Sequence, residues 1–239
     1  TSQIEPLTFC GINSNVGVND VADATYNVAI PSASFVAIGT LNSISGATDT
    51  ICTSTAFTPV GVGSFTATSV MTTSNPDTGT NNNTFDDVSF GVSDYVYARD
   101  NGVQTAYSSN DGLQFEVGNA YDIFADQELT GIVAGIDDGS VAGASIYGRL
   151  YTVDVNGAFS LLDQSFTHTL TAADISSGFV TLALVSGGYM LTAGDSYMIT
   201  VGSDGDGGLS NDLRVQIAGV SEGTPTVQTS FFYNPTGTT

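Results

Sequence analysis

Apolar and polar residues alternate in short runs along the whole chain, and this alternation predicts β-strands. In residues 64–70, for example, Phe65 and Ala67 alternate with Ser64, Thr66 and Thr68. A period of two turns one face of a strand toward a core and the other toward solvent. Runs of this kind predict strands at residues 26–30, 35–41, 64–70, 88–92, 113–117, 129–136, 146–155, 159–166, 179–185, 196–201, 213–217 and 227–233.

Turn residues separate these runs, and helical signatures are rare. Asp137-Asp138-Gly139 and Ser186-Gly187-Gly188 are typical turn sequences. The chain has no lysine and only four glutamates, whereas helix surfaces favour both. One short helix is predicted at residues 171–174, with Thr171 as its N-cap. The pattern therefore predicts an all-β fold, an antiparallel β-sandwich or jelly roll, rather than α/β.

The composition changes at residues 73–84, which are rich in Asn, Thr, Gly and Pro. Such a stretch is either a linker between two packed β-domains or a long loop of one sandwich. We expect a β-rich domain over residues 1–92 and a jelly-roll-like sandwich over residues 93–239.

Charge excludes two classes of partner. The 239 residues hold 24 Asp and Glu against 3 Lys and Arg, a formal net charge of −21. Nucleic acid and anionic membranes are excluded as partners, because phosphate binding needs clustered cations. No apolar run is long enough for a membrane span. With 41% hydrophobic residues, the chain is not an acidic disordered tail, and its acidity suits a saline or calcium-containing exterior.

Cys10 and Cys52 are the only cysteines. They form no CxxC pair, so a zinc site has no support. They are either a disulfide or two buried free thiols, and we favour the disulfide because the rest of the chain has the character of an exported protein. We expect an extracellular or cell-surface protein whose signal peptide has been removed.

The second half carries a recurrent set of motifs. They are Leu129-Thr130-Gly131-Ile132, Ile146-Tyr147-Gly148-Arg149-Leu150-Tyr151, Val180-Thr181-Leu182-Ala183-Leu184 and Leu191-Thr192-Ala193-Gly194-Asp195-Ser196-Tyr197. Over roughly residues 94–239 the chain resembles the jelly-roll β-sandwich domains of secreted surface proteins of Bacteroidota that use the type IX secretion system. The resemblance implies an extracellular binding, adhesive or structural module, with no catalytic residues to carry over.

Among possible ligands, calcium has the strongest support in the sequence. Asp204, Asp206, Asn211 and Asp212 place oxygen donors on one glycine-rich segment, and Ca²⁺ takes six to eight oxygen ligands. A second, weaker candidate is the pair formed by Asp86 and Asp87. The alternative for both is a solvated acidic loop.

Catalysis and sugar binding have less support. No nucleophile-elbow motif is present, and a Ser–His–Asp site would depend on His168, for which a solvent-facing strand position is the simpler interpretation. We therefore expect that the chain is not an enzyme. Sugar-binding sandwiches stack sugars on exposed aromatic rings. Without tryptophan, this chain could use only tyrosines, with the candidates Tyr95, Tyr97, Tyr107 and Tyr121.

Two functions follow from these observations. The first is a non-enzymatic extracellular structural or adhesive module, which polymerises into filaments or a surface layer in one version of the hypothesis. Its partners would be copies of itself or other surface proteins, and segments 4–9 and 227–233 would be either exchanged between chains or paired within their own sheets. The alternative is a carbohydrate-binding module of a secreted polysaccharide-degrading protein.

Overall fold

Antiparallel strands make up nearly all the regular structure of the chain in the computed structural model. The structure describes residues 3–4, 6–74, 82–98, 103–154, 157–206, 212–218 and 230–233. All strand pairings within these ranges are antiparallel, so the predicted all-β, antiparallel fold is confirmed. The chain divides into two compact units, unit 1 (Thr1–Tyr97) and unit 2 (Ala98–Thr239).

Unit 1 contains a four-stranded sheet and a two-stranded ribbon. Its strands are β1 (Cys10–Ser14), β2 (Val21–Ile30), β3 (Phe35–Ser43), β4 (Thr48–Cys52), β5 (Gly63–Thr72) and β6 (Val88–Val92). The sheet has the order β3-β2-β5-β6, and the ribbon pairs β1 with β4. A 3-10 turn, Pro31–Ala33, joins β2 to β3.

Alternation along β2 builds the core of unit 1. Tyr26, Val28 and Ile30 are buried, and the residues between them lie on the opposite face of the sheet. Phe57 packs among them, with Phe65 at a ring distance of 5.5 Å. The sheet therefore has one face against the core and one face outward.

Unit 2 contains a larger sandwich. Its strands are β7 (Gln104–Ser108), β8 (Phe115–Asp122), β9 (Gln127–Leu129), β10 (Gly131–Gly135), β11 (Ser145–Val153), β12 (Phe159–Gln164), β13 (His168–Thr169), β14 (Phe179–Ala183), β15 (Tyr189–Leu191), β16 (Ser196–Ser203), β17 (Val215–Ala218) and β18 (Ser230–Tyr233). One layer has the order β12-β11-β16-β8-β18, with β13 beside β11.

The second layer of unit 2 consists of shorter pairs. These are β10 with β14, β9 with β15 and β17 with β7, and an isolated bridge from Ile136 to Val215 connects the first and third pairs. Ile132 and Leu182 from this layer share a core cluster with Phe115 and Ile146 from the large sheet. The core of unit 2 thus lies between two layers, as in a β-sandwich.

The one helix predicted from sequence is present as α1 (Ala172–Ser177). Thr171 is its N-cap: its hydroxyl accepts the Asp174 backbone N–H at 3.2 Å, and the Asp174 carboxylate accepts the Thr171 backbone N–H at 2.8 Å. This reciprocal pair is a capping box. Within the described ranges this six-residue segment is the longest helix, and it is too short to traverse a bilayer.

Several strands differ from the expected ones. The sequence pattern missed β1 and β4, because each carries only one buried residue. It also ended a strand at residue 117, directly before Gly118. In the structure Gly118 lies within β8, where an added side chain would come 2.1 Å from the Ile199 carbonyl oxygen. The glycine therefore permits close strand contact rather than a turn.

The described residues near the two ends of the chain pair with other segments of the same unit. Leu7 forms a bridge with Phe57, and β18 pairs with β8. These contacts correspond to pairing within the chain's own sheets, the simpler of the two interpretations of the terminal segments. Residues 227–229 and most of the 73–84 segment lie outside the described ranges.

Cys10 and Cys52 form a disulfide that joins β1 to β4, so the prediction is confirmed and the free-thiol interpretation is wrong. The two residues are directly opposite each other, with 4.0 Å between their Cα atoms and 42 residues of sequence separation. Both cysteines are exposed on the outer side of the ribbon. The bond therefore fastens a ribbon that buries little apolar surface.

We expect the double variant Cys10→Ser/Cys52→Ser to lose roughly 4 kcal/mol of stability in unit 1, because the open chain regains loop entropy. Native-state hydrogen exchange of the β2 and β5 amides measures this loss. The control variant Ser14→Ala/Thr48→Ala removes an exposed hydroxyl pair from the same ribbon. It should change the stability of unit 1 by less than about 0.5 kcal/mol. Equal protection with and without the disulfide would contradict the expectation.

Candidate functional site

The first predicted calcium ligands do not converge in the part of the chain that the structure describes. Asp204 is exposed and Asp206 half-buried, while Asn211 lies outside the described residues. The Asp212 carboxylate accepts a hydrogen bond from Arg214 Nε at 3.1 Å, so this candidate ligand already neutralises a cation.

The second candidate pair, Asp86 and Asp87, is exposed in the segment before β6. Among the described residues no three His, Cys, Asp or Glu side chains are grouped so as to hold a metal ion. Calcium binding stays a prediction, and part of the segment on which it depends falls outside the described ranges.

The four candidate sugar-binding tyrosines are divided between the two units. Tyr95 and Tyr97 belong to the end of unit 1, and Tyr95 is almost fully exposed. Tyr107 lies on β7 with the Arg214 guanidinium 4.6 Å from its ring centre. Tyr121 lies on β8, in the other layer of unit 2, half-buried against a core cluster. Within unit 2, the rings of Tyr107 and Tyr121 therefore do not form a common platform for a sugar chain.

His168 takes part in the cap of helix α1. Its Nε2 lies 3.0 Å from the Asp174 carboxylate, which also accepts the Thr171 hydroxyl at 2.8 Å. Hydrogen bonds from His168 and Thr171 lower the pKa of Asp174 to about 2. The pair therefore fixes the start of a helix, and its carboxylate is committed to that role.

A cluster of polar side chains on the large sheet of unit 2 was not found from the sequence. Glu116 on β8 is buried, and each of its carboxylate oxygens meets two donors. Arg149 Nη1 and the Tyr147 hydroxyl donate to Oε1, and the hydroxyls of Tyr151 (2.9 Å) and Thr200 (3.0 Å) donate to Oε2. The Arg149 guanidinium also lies 4.2 Å from the Tyr147 ring centre.

Strand register brings this cluster together. Tyr147, Gly202 and Glu116 are neighbours across β11, β16 and β8. An added side chain at Gly202 would come 2.7 Å from Glu116 Cγ. Glycine at this position therefore leaves the space that the glutamate occupies.

The cluster pairs one carboxylate with one guanidinium and surrounds them with neutral hydroxyls. Burial and the nearby Glu116 charge raise the pKa of Tyr151 to about 12, and the same two causes raise the pKa of Tyr147. Both phenols therefore stay protonated as donors at neutral pH. The buried Glu116 carboxylate already accepts four hydrogen bonds. The cluster therefore suits a structural role, in which it holds strands together, rather than a role as a general acid or base.

A partial signal for this cluster was present in the sequence. Tyr147, Arg149 and Tyr151 lie at every second position of one predicted strand, and Arg149 is one of only three cations. A cation in the middle of a strand predicts a carboxylate partner. It does not predict which of the 24 acids that partner is.

The outward side of the unit 1 sheet forms a second feature, which we call the neutral face. It presents side chains in rows across the strands, and apart from Asp23 near the start of β2 none of the side chains of these four strands is charged. The neutral face consists of Thr25, Asn27, Ala29, Val36, Ile38, Thr40, Ser64, Thr66, Thr68, Val70, Thr72 and Ser89. Val36 is 71% exposed and Ile38 47% exposed, so β-branched apolar side chains face solvent beside hydroxyls.

Hydroxyl and amide groups of the neutral face bond within the sheet. The Thr66 and Ser89 hydroxyls are 2.9 Å apart, and the Asn27 amide donates to the Thr72 hydroxyl at 3.1 Å. The Thr68 hydroxyl reaches the Ala29 carbonyl oxygen at 3.4 Å. Most of the polar side chains of the neutral face therefore have partners within the sheet already.

Carboxylates flank the neutral face rather than interrupt it. Asp23 lies near the start of β2, where it accepts the Ser74 backbone N–H at 3.1 Å. Asp86 and Asp87 lie in the segment that leads into the edge strand β6. An uncharged centre with acidic surroundings is thus present on a chain of net charge −21.

We expect Glu116→Gln to destabilise the protein by about 2–3 kcal/mol, because it leaves Arg149 without its partner in a largely buried position. Urea unfolding at neutral pH measures the loss. Glu128→Gln, at an exposed glutamate on β9, should change stability by less than about 0.5 kcal/mol. Equal effects of the two substitutions would contradict the structural role of the cluster.

The raised pKa of Tyr151 also predicts a pH dependence. Its contribution to stability is complete below its ordinary pKa of 10.0 and is lost as pH rises through about 12. Because the chain has no lysine, tyrosines are the main side chains that titrate in this window. Tyr151→Phe should weaken the loss of stability between these pH values, and Glu116→Gln should lower the pH at which the last tyrosines ionise in an ultraviolet titration. Identical titration curves for Glu116→Gln and the unchanged protein would overturn this prediction.

Comparison with known proteins does not extend this description. The chain gives no match to any family model, to the curated proteins or to the solved structures. The resemblance of residues 94–239 to surface domains of Bacteroidota stays a prediction. Any function assigned to the chain therefore has to be argued from its own surfaces.

Proposed function

We propose that this chain is a non-enzymatic structural or adhesive module of the extracellular surface, and that it makes contact through the neutral face. The neutral face is the observation that carries the proposal. It places twelve uncharged side chains on one side of one sheet, in a chain where about one residue in ten is acidic.

Contact through such a surface is physically favourable. Burying a carboxylate without a partner is costly, so a strongly acidic protein adheres best where carboxylates are absent. Exposed Val36, Ile38 and Val70 supply apolar area, and most of the neighbouring hydroxyls already have partners in the sheet. The surface thus offers area for contact at little cost in lost hydrogen bonds.

An extracellular setting is supported by two features. The disulfide between Cys10 and Cys52 lies on the surface, and bonds of this kind persist in oxidising compartments. The net charge of −21 is tolerated where salt screens repulsion within about 8 Å.

Carbohydrate binding is the alternative function, and it has weaker support. The neutral face has no aromatic side chain, since Tyr26, Phe65 and Phe90 of the same sheet belong to the core cluster. Sugar recognition on sandwiches depends on exposed rings, and the two candidate tyrosines of unit 2 lie in different layers.

Adsorption to defined monolayers tests the proposal. We expect the chain to adsorb to a gold surface coated with mixed methyl- and hydroxyl-terminated thiols. Val36→Asp/Thr68→Asp should reduce the adsorbed mass at least about tenfold, because each carboxylate must lose its water at the contact. A quartz crystal microbalance measures the adsorbed mass.

Val133→Asp/Thr167→Asp is the matched control, because it adds the same charge at an exposed valine and an exposed threonine of unit 2. This control should adsorb like the unchanged chain. Equal adsorption by the unchanged chain and both variants would refute the role of the neutral face.

A further inference from the structure

We infer that the partner of the neutral face is a second copy of this chain, bound with sheet face against sheet face. The inference rests on the proposed function and names the partner. It concerns the unit 1 sheet, in which β3, β2 and β5 supply most of the outward side chains.

Charge is the first argument for a second copy. Two chains that each carry a net charge of −21 repel each other at most orientations. Repulsion and the cost of burying carboxylates are smallest where both surfaces lack charge at the centre of contact. Within the described residues the neutral face supplies such a centre. Asp23, near the start of β2, and Asp86 and Asp87, directly before β6, lie beside it.

Area is the second argument. Three strands of nine or ten residues and one of five, at about 3.3 Å per residue and about 4.8 Å between strands, give roughly 540 Å² of sheet face per copy. Two copies would bury about 1,100 Å², close to the lower limit for a specific interface. The expected complex is therefore reversible and depends on concentration.

Surface chemistry is the third argument, and it favours a protein sheet over a polysaccharide. Val36, Ile38 and Val70 stand among threonine methyl groups, and side chains of two stacked sheets interdigitate at about 10 Å between the sheets. The Thr66–Ser89 and Asn27–Thr72 bonds keep the polar groups partnered when the face is covered. A sugar chain would instead need aromatic rings and polar groups free to bond it.

A contact between identical faces closes on itself. The same residues meet on both copies, so the complex is a dimer with two-fold symmetry rather than an open filament. A filament or layer would need another contact in addition to this one.

Sedimentation velocity of the full chain over roughly 1 to 100 μM, at about 0.15 M NaCl, tests the inference. We expect a reversible monomer–dimer equilibrium. Val36→Asp/Thr68→Asp should weaken the dimer at least about thirtyfold, because four carboxylates enter one interface. Val36→Asn/Thr68→Asn introduces side chains of nearly the same size as aspartate but without charge. Its dimer dissociation constant should stay within about threefold of that of the unchanged chain.

Controls make each outcome decisive. Near-ultraviolet circular dichroism verifies that each variant is folded, and the single variant Thr68→Asp replaces the double variant if the latter unfolds. Val133→Asp/Thr167→Asp should leave the dimer intact. A dimer that withstands Asp on the neutral face but is lost in this control would place the contact elsewhere and overturn the inference.

Salt and sugar provide independent readouts. Lowering NaCl to about 0.01 M extends the screening length to about 30 Å and should weaken the dimer. Hydroxyethylcellulose should leave the dimer unchanged, and dissociation by this uncharged polysaccharide would identify a sugar as the occupant instead. A chain that is monomeric at all concentrations would overturn the inference, yet the adsorption result would still decide the proposed function.

Discussion

The excess of carboxylates over cations constrains every other part of this structure. With three arginines and no lysine, most of the 24 acidic side chains cannot form salt bridges. Several of them accept hydrogen bonds from backbone N–H groups instead, as Asp20 does from Ser45, Asp126 from Ala193 and Asp154 from Ala158. Loops and turns offer such N–H groups, which is why an acidic chain rich in aspartate suits a scaffold of short strands.

The same constraint explains the contrast between the two surfaces described above. On the large sheet of unit 2, one buried carboxylate is retained because Arg149 and three hydroxyls satisfy it. On the sheet of unit 1, the outward side carries no charge beyond Asp23 near the start of β2, and several hydroxyls bond within the sheet. The first arrangement uses polar groups to hold strands together, whereas the second leaves an uncharged surface available.

Local patterns in the sequence predicted local structure well. Alternation predicted strands such as β5 and β16, and Thr171 predicted the start of α1, because both depend only on neighbours in sequence. The partner of Cys10 could be named because there was only one other cysteine. The ribbon of β1 and β4 was missed because its strands bury one residue each.

Features that depend on register between distant strands could not be predicted. The Glu116 cluster joins residues 31 and 84 positions apart along the chain. The neutral face likewise exists only once β2, β3, β5 and β6 are aligned, since each strand alone shows an ordinary alternation. Candidate sites read from single segments, such as Asp204 to Asp212, did not contain this information.

The positions of the arginines affect how trypsin-like proteases act on the folded chain. Trypsin-like enzymes cleave after lysine or arginine and need an extended, accessible segment. Arg149 lies within β11 between β12 and β16, with its side chain held by Glu116. The backbone of Arg214 bonds Ser140 on both its N–H and its carbonyl side. Two of the three peptide bonds that follow an arginine are thus inside hydrogen-bonded structure, which protects these two bonds from proteases of this class.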